Sequence, residues 1–201
     1  MSRLTGVTDR DATLGAKLAL FFTRRKLARM TGLDFEATAG MLEPLRMYAH
    51  IPRLLNAYGR LEQAESRLDI LSPRHRALAE LKAAATVRCE YCIDLGSQVA
   101  RRWGITDQEL LALSDYRTAQ CFSDVDKLIL QYATAISRTP VEVSDELFEA
   151  LRAHFDTAQL VGLTHVVTLG NLRARFNIAL GIESPGFSGN RVCALPDGGG
   201  P

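Results

Sequence analysis

The sequence has no long hydrophobic run. No stretch approaches the roughly 18 uncharged apolar residues of a membrane span. Arg3, Asp9 and Arg10 stand where a secretory signal needs an apolar core, so a cytoplasmic protein outside the membrane is the expectation. An excess of one charge is also lacking: 24 Lys and Arg against 23 Asp and Glu leave a formal net charge of +1. Such a balance makes no global field for nucleic acid or an anionic membrane, and neither is expected as a partner. Cysteine is scarce, at four in 201 residues. A chain of this length buries a sizeable core without disulfide staples, and thiols in a reducing compartment stay reduced. A close pair of cysteines there points to catalysis or metal binding.

Strand signals are missing as well. The best β-prone piece, His165-Val166-Val167-Thr168, lies inside a longer helical pattern. What is present is helical periodicity almost throughout. Leu14, Leu18, Phe21, Phe22 and Leu27 recur at three- and four-residue spacings from about 11 to 30, and Gly32 ends the run. Further helices are predicted over about 35–49, from Pro52 to about Arg67, and from Ser72-Pro73 through an alanine-rich stretch toward Arg88. Thr106 and Glu109 have capping-box spacing. Ser123 opens a helix that ends at Thr139-Pro140, and Ser144 opens another. The last helix, from about Thr157 to Leu180, is apolar on most sides, which predicts a central place or a subunit contact. Residues 1–184 read as one all-helical domain, with 1–34 an N-terminal extension and 35–184 the core. The glycine- and proline-rich segment 185–201 reads as a mobile tail.

Cys89-Glu90-Tyr91-Cys92 carries the chemistry. Two cysteines three residues apart at a helix start share one face, close enough for a disulfide, and the first-turn amides stabilise a thiolate. Two rivals stand beside the redox reading. The pair packs as small apolar residues, or it binds zinc; zinc needs two more ligands, and Cys121, Cys193, His154 and His165 form no second close pair. Glu80, nine residues before Cys89, is the candidate base if the two helices form a hairpin; it is equally placed to pair with Arg76 four residues earlier. Asp94 relays protons or caps the helix start. Tyr91 hydrogen-bonds substrate or packs. His50 reads as structural, His75 as exposed and His165 as a core histidine.

The block from Ser72 to Ser97, with Glu80 leading into the cysteine pair, resembles the carboxymuconolactone decarboxylase and alkylhydroperoxidase D-like superfamily. Ser144-Asp145-Glu146-Leu147-Phe148, the run from Asn171 to Ile182, and His50-Ile51-Pro52-Arg53-Leu54-Leu55 are similar too, so the resemblance covers roughly residues 40 to 185. It implies an all-α fold, a multi-helix alkylhydroperoxidase D-like bundle, in homo-oligomers such as trimers, hexamers or dimers. In peroxidase members it implies that the second cysteine, here Cys92, attacks a small hydroperoxide and the first, here Cys89, condenses with it to a disulfide that a thiol or dithiol reductant reopens. Cys92, Cys89, Glu80, Asp94 and Tyr91 are therefore the candidate catalytic residues, with neither cofactor nor metal expected. The peroxidase pattern has a histidine at the position of Gly96, can carry another at that of Tyr91, and has its glutamate at that of Ala77. The alternatives are a decarboxylase acting on a small carboxylated lactone without a cysteine pair, and a non-enzymatic redox-responsive oligomer. The high apolar content, 47% of residues, independently points to association.

Overall fold

The computed structural model describes residues 2–198, and these contain helices, turns and loops but no strand. The described helices are α1 (Leu14–Thr31), α2 (Glu43–Tyr48), α3 (Pro52–Ser66), α4 (Pro73–Thr86), α5 (Glu90–Arg102), α6 (Asp107–Ala112), α7 (Asp124–Ser137), α8 (Asp145–Arg152) and α9 (Thr157–Leu180), with a 3-10 helix over Glu36–Leu42. Thr13, Ser72, Thr106, Ser123 and Ser144 each accept a first-turn amide hydrogen bond. Thr106 with Glu109 and Ser123 with Asp126 close full capping boxes. Among the described residues no helix is long and apolar enough to cross a membrane.

The single helix expected over 35–49 is divided. Pro44 has no N–H to donate to the Gly40 carbonyl, so an α-helix running through it loses a bond. Glu43 donates to Gly40 in the tighter register instead, and Pro44 takes a first-turn position in α2.

The sequence reading takes 1–184 as one domain; the chain divides into two compact units. One holds the residues up to Leu68 together with Phe176–Pro185; the other holds Asp69–Arg175 and the segment from Gly186 onward. Helix α9 contributes residues to both. The first unit is built on Ala12, Ala16, Tyr48, Ala49 and Leu55. Tyr48 stacks between Tyr58 and Phe176 at centroid distances of 4.5 and 4.3 Å.

In the second unit α4 is the central element, packed on α5 and α7. Its alanines are buried on nearly every side, and their small side chains let the neighbouring helices approach. Lys82 is also buried there, 1% exposed. Burial pushes its amine below the ordinary lysine range, opposed by the carboxylate of Asp197 at 2.5 Å, and it also donates to the Leu113 carbonyl. At the start of α4, Arg74 joins the two capping carboxylates Glu109 and Asp126 into one network. Helix α9 buries Leu160, Leu163, Val166 and Val167 and leaves Val161 and Leu172 in solvent.

The stretch expected to be a mobile tail makes specific bonds over its described part. Asp94 accepts the amides of Phe187 and Ser188 at 2.7 and 2.8 Å, Ala194 donates to Ser97, and Arg101 to the Val192 carbonyl. Asp197 takes a hydrogen bond from Thr86 besides that of Lys82. Residues 199–201 of that stretch lie outside the described residues.

Candidate active site

The turn between α4 and α5 sets the cysteine pair. After the C-cap Val87, Arg88 adopts a left-handed conformation at φ 57°. The Arg88 amide donates to Ala85 and the Cys89 amide to Ala84. These are the two bonds of a Schellman motif, with arginine where glycine is usual, at a cost of about 1–2 kcal/mol. The Arg88 guanidinium bonds the carbonyls of Asp197 and Gly198, which offsets that strain. The chain then reverses, and α5 returns along α4.

Cys89 is the N-cap of α5. Its sulfur accepts the amide N–H of Cys92 at 3.3 Å, the place an Asp or Ser oxygen takes in an ordinary cap. Negative charge on that sulfur meets the amide ends of the first turn and the positive end of the helix dipole. Both residues are thiols; Cys89 is 1% exposed and Cys92 is partly buried. Reach by a solute therefore favours Cys92, and amide stabilisation favours Cys89.

Other expected residues divide into two groups. Glu80, partly buried on α4, forms an ion pair with Arg173 of α9 at 3.7 Å. Tyr91 is buried and packs edge-on against Phe187 at 5.3 Å. Asp94 lies two residues beyond Cys92, which turns it about 200° round the helix. That face holds the 186–198 segment through Asp94, Ser97, Gln98 and Arg101, so Asp94 has a structural task there. Gly96, where the peroxidase pattern has histidine, faces Leu81 of α4.

The segment brings a third sulfur to this helix. Cys193 lies 2.7 Å from the Ser188 hydroxyl and 3.6 Å from Asp94, and burial raises its thiol above the ordinary range. Nothing in the sequence signals that meeting, nor that Arg173, within the run from Asn171 to Ile182, is the partner of Glu80. Three of the four histidines serve elsewhere: His50 bonds the Thr5 carbonyl, His75 is partly buried, not exposed, against Phe155, and His165, expected in the core, is only partly buried and lines a surface hollow with Thr164 and Thr168. Among the described residues, no three His, Cys, Asp or Glu side chains gather as a metal site.

Residues 52–135 match the carboxymuconolactone decarboxylase family. The uncharacterised protein YnjA of Escherichia coli K12 is 40% identical over 162 residues, 78% of this chain and 84% of YnjA. YdfG of Bacillus subtilis 168, also uncharacterised, is 30% identical over 107 residues, 53% of this chain and 73% of YdfG. Among solved structures, the debrominase Bmp8 superposes with a TM-score of 0.75 at 17% identity, covering 91% of this chain and 92% of that one. A peroxidase-related protein from Ralstonia eutropha JMP134 with an alkylhydroperoxidase AhpD core gives 0.70 at 18% identity, covering 91% and 92%. The solved structures share the all-helical fold.

Proposed function

Since the chain belongs to the carboxymuconolactone decarboxylase family, we propose that it is a thiol-dependent oxidoreductase whose Cys89 and Cys92 reduce small hydroperoxides. The observation that carries this reading is the bond from the Cys92 amide to the Cys89 sulfur at 3.3 Å, which holds both thiols at one helix N-terminus. The more accessible Cys92, as thiolate, attacks the terminal oxygen of the hydroperoxide. An S–O bond forms, the O–O bond breaks, and the departing alkoxide takes a proton to leave as the alcohol. Cys89 then attacks the Cys92 sulfenic acid, an S–S bond forms, and water leaves. An external thiol or dithiol supplies two electrons and two protons to restore the pair. Glu80, oriented by Arg173, accepts the thiol proton in this scheme. The exposed Val161 and Leu172 of α9 supply a contact for a homo-oligomer.

The test is to titrate the reduced protein with cumene hydroperoxide and count thiols. Two are lost per wild-type chain, and none rapidly in Cys92→Ser. Loss unchanged in Cys92→Ser overturns the role of Cys92; no loss in wild type overturns the reading.

A second substrate is suggested by the debrominase likeness, which spans 91% of this chain for the apo enzyme and 88% for a complex of its Cys→Ala variant with 2,3,4-tribromopyrrole. Two thiols and a carbon–bromine bond give a disulfide, a carbon–hydrogen bond and hydrogen bromide, the same two-electron demand on the pair. Bromide release from a bromopyrrole, absent in Cys92→Ser, is the corresponding assay.

A further inference from the structure

Helix α1 departs from the charge balance of the chain. Between Leu14 and Thr31 it carries Lys17, Arg24, Arg25, Lys26 and Arg29 and no acidic residue. Arg24 is engaged by Glu36 and the Phe35 ring. The other four cations are exposed. So are four large apolar side chains, Leu14 (74%), Leu18, Phe21 and Phe22 (63%).

At 100° per residue these eight positions fall on one face of the helix, with the apolar four in its N-terminal half and Arg25, Lys26 and Arg29 in its C-terminal half. The opposite face is the buried one, through Ala16 and Leu20. Phe22 and Met30 with Arg25, Lys26 and Arg29 also frame a surface hollow of about 490 Å3.

We propose that this face of α1 binds an anionic lipid bilayer surface. Leucine and phenylalanine side chains enter the headgroup boundary, while lysine and arginine reach the lipid phosphates. A second copy of the chain fits the face poorly. A closed two-fold contact would bury the same patch of both copies, cations included, with no acid on either helix to neutralise them. An anionic surface supplies the missing charge. Each cation held near such a surface contributes about five-fold in affinity, so the three at the C-terminal half together account for about a hundred-fold.

The test is co-sedimentation of the full chain with vesicles of phosphatidylcholine alone and with 30% phosphatidylglycerol. Binding is expected to the anionic vesicles only, weakened at high salt. Arg25→Gln/Lys26→Gln/Arg29→Gln loses about a hundred-fold in affinity, and Leu18→Ser/Phe22→Ser no longer sediments. All five positions are exposed or rim the helix, so thermal melting is expected to stay unchanged, and it is recorded for each variant. Equal binding to both vesicle types, no binding to either, or undiminished binding by the glutamine variant overturns the proposal. So does a wild-type oligomer that Leu18→Ser/Phe22→Ser dissociates, because a second copy then covers the face.

Discussion

Gly96 of α5 sits against Leu81 of α4 so closely that a Cβ at position 96 would lie 3.2 Å from the Leu81 Cδ1. Glycine inside a helix is unfavourable by roughly 0.5–1 kcal/mol relative to alanine, and here it lets the cysteine helix approach the alanine-rich helix. The same contact leaves little room for an imidazole one turn beyond Cys92. Gly96→His is expected to cost about 1–3 kcal/mol through overpacking against Leu81. In a double-mutant cycle with Leu81→Ala, the pair is expected to cost less than the sum of the singles by about 1 kcal/mol or more. Additive costs in denaturant unfolding would place the strain elsewhere.

Cys89→Ser separates the two sulfurs by role. With the resolving thiol gone, the Cys92 sulfenic acid has no intramolecular partner at the helix start and accumulates. Mass spectrometry after hydroperoxide in the presence of dimedone is expected to give one adduct on Cys92 in Cys89→Ser and none in wild type. An adduct on Cys89 in Cys92→Ser at the wild-type rate would reverse the order of attack, as the N-cap position of the Cys89 sulfur would then dominate over its burial.

Glu80→Gln keeps the side-chain shape and removes the proton acceptor. General-base assistance contributes about 10²–10⁴-fold, so the second-order rate with hydroperoxide is expected to fall at least about 100-fold near neutral pH. The loss is expected to shrink as pH rises and thiolate forms without help. Arg173→Ala leaves the carboxylate in place but without its 3.7 Å ion pair, and a smaller loss follows. Stopped-flow thiol kinetics from pH 6 to 10 read both effects. A pH-independent loss would assign Glu80 to packing.

Much of this architecture is local and therefore legible in the sequence. Ser72, Thr106, Ser123 and Ser144 announce helix starts because a cap is made within four residues; Pro44 is equally local, yet the apolar spacing over 35–49 reads through it as one helix. The cysteine pair is legible because its spacing is its geometry. What escapes is carried by contacts distant in the chain. Asp94 reads as a possible proton relay until Phe187 and Ser188 arrive to use its carboxylate. The glycine-rich end reads as a mobile tail because its composition does not reveal that Arg88, Lys82 and Asp94 wait for it. The left-handed Arg88 has no sequence signature, since arginine ordinarily avoids that conformation.

The Arg74 network ties stability to acid. Burial alone would raise the carboxyls of Glu109 and Asp126, but hydrogen bonds from Arg74 and from the caps at Thr106 and Ser123 outweigh it and hold both below their ordinary values. Their folded-state pKa values are thus depressed. The stabilisation they bring is complete above the unfolded carboxylate range and is lost as pH falls through the folded values. Arg74→Met leaves both carboxylates buried and is expected to cost about 3–5 kcal/mol at pH 7. It also flattens or inverts the stability profile below about pH 5, where protonation relieves the uncompensated charge. Urea unfolding from pH 3 to 8 checks the sign: a parallel profile for wild type and variant would exclude these carboxyls from the acid limb.

Asp94 distinguishes anchoring from catalysis. Its carboxylate accepts two backbone amides, from Phe187 and Ser188, and faces away from Cys92 around α5. Asp94→Ala leaves those buried donors without their acceptor, at about 1–3 kcal/mol each, and frees the segment that shields Cys193. Alkylation of Cys193 by iodoacetamide is expected to quicken markedly, while the reaction of Cys92 with hydroperoxide keeps its wild-type rate. Asp94→Asn, which retains one acceptor oxygen, is expected to fall between. If instead the Cys92 rate drops with no change at Cys193, the carboxylate serves proton transfer and the segment is held without it. The two thiols report on opposite sides of one helix, so a single modification time course separates the roles.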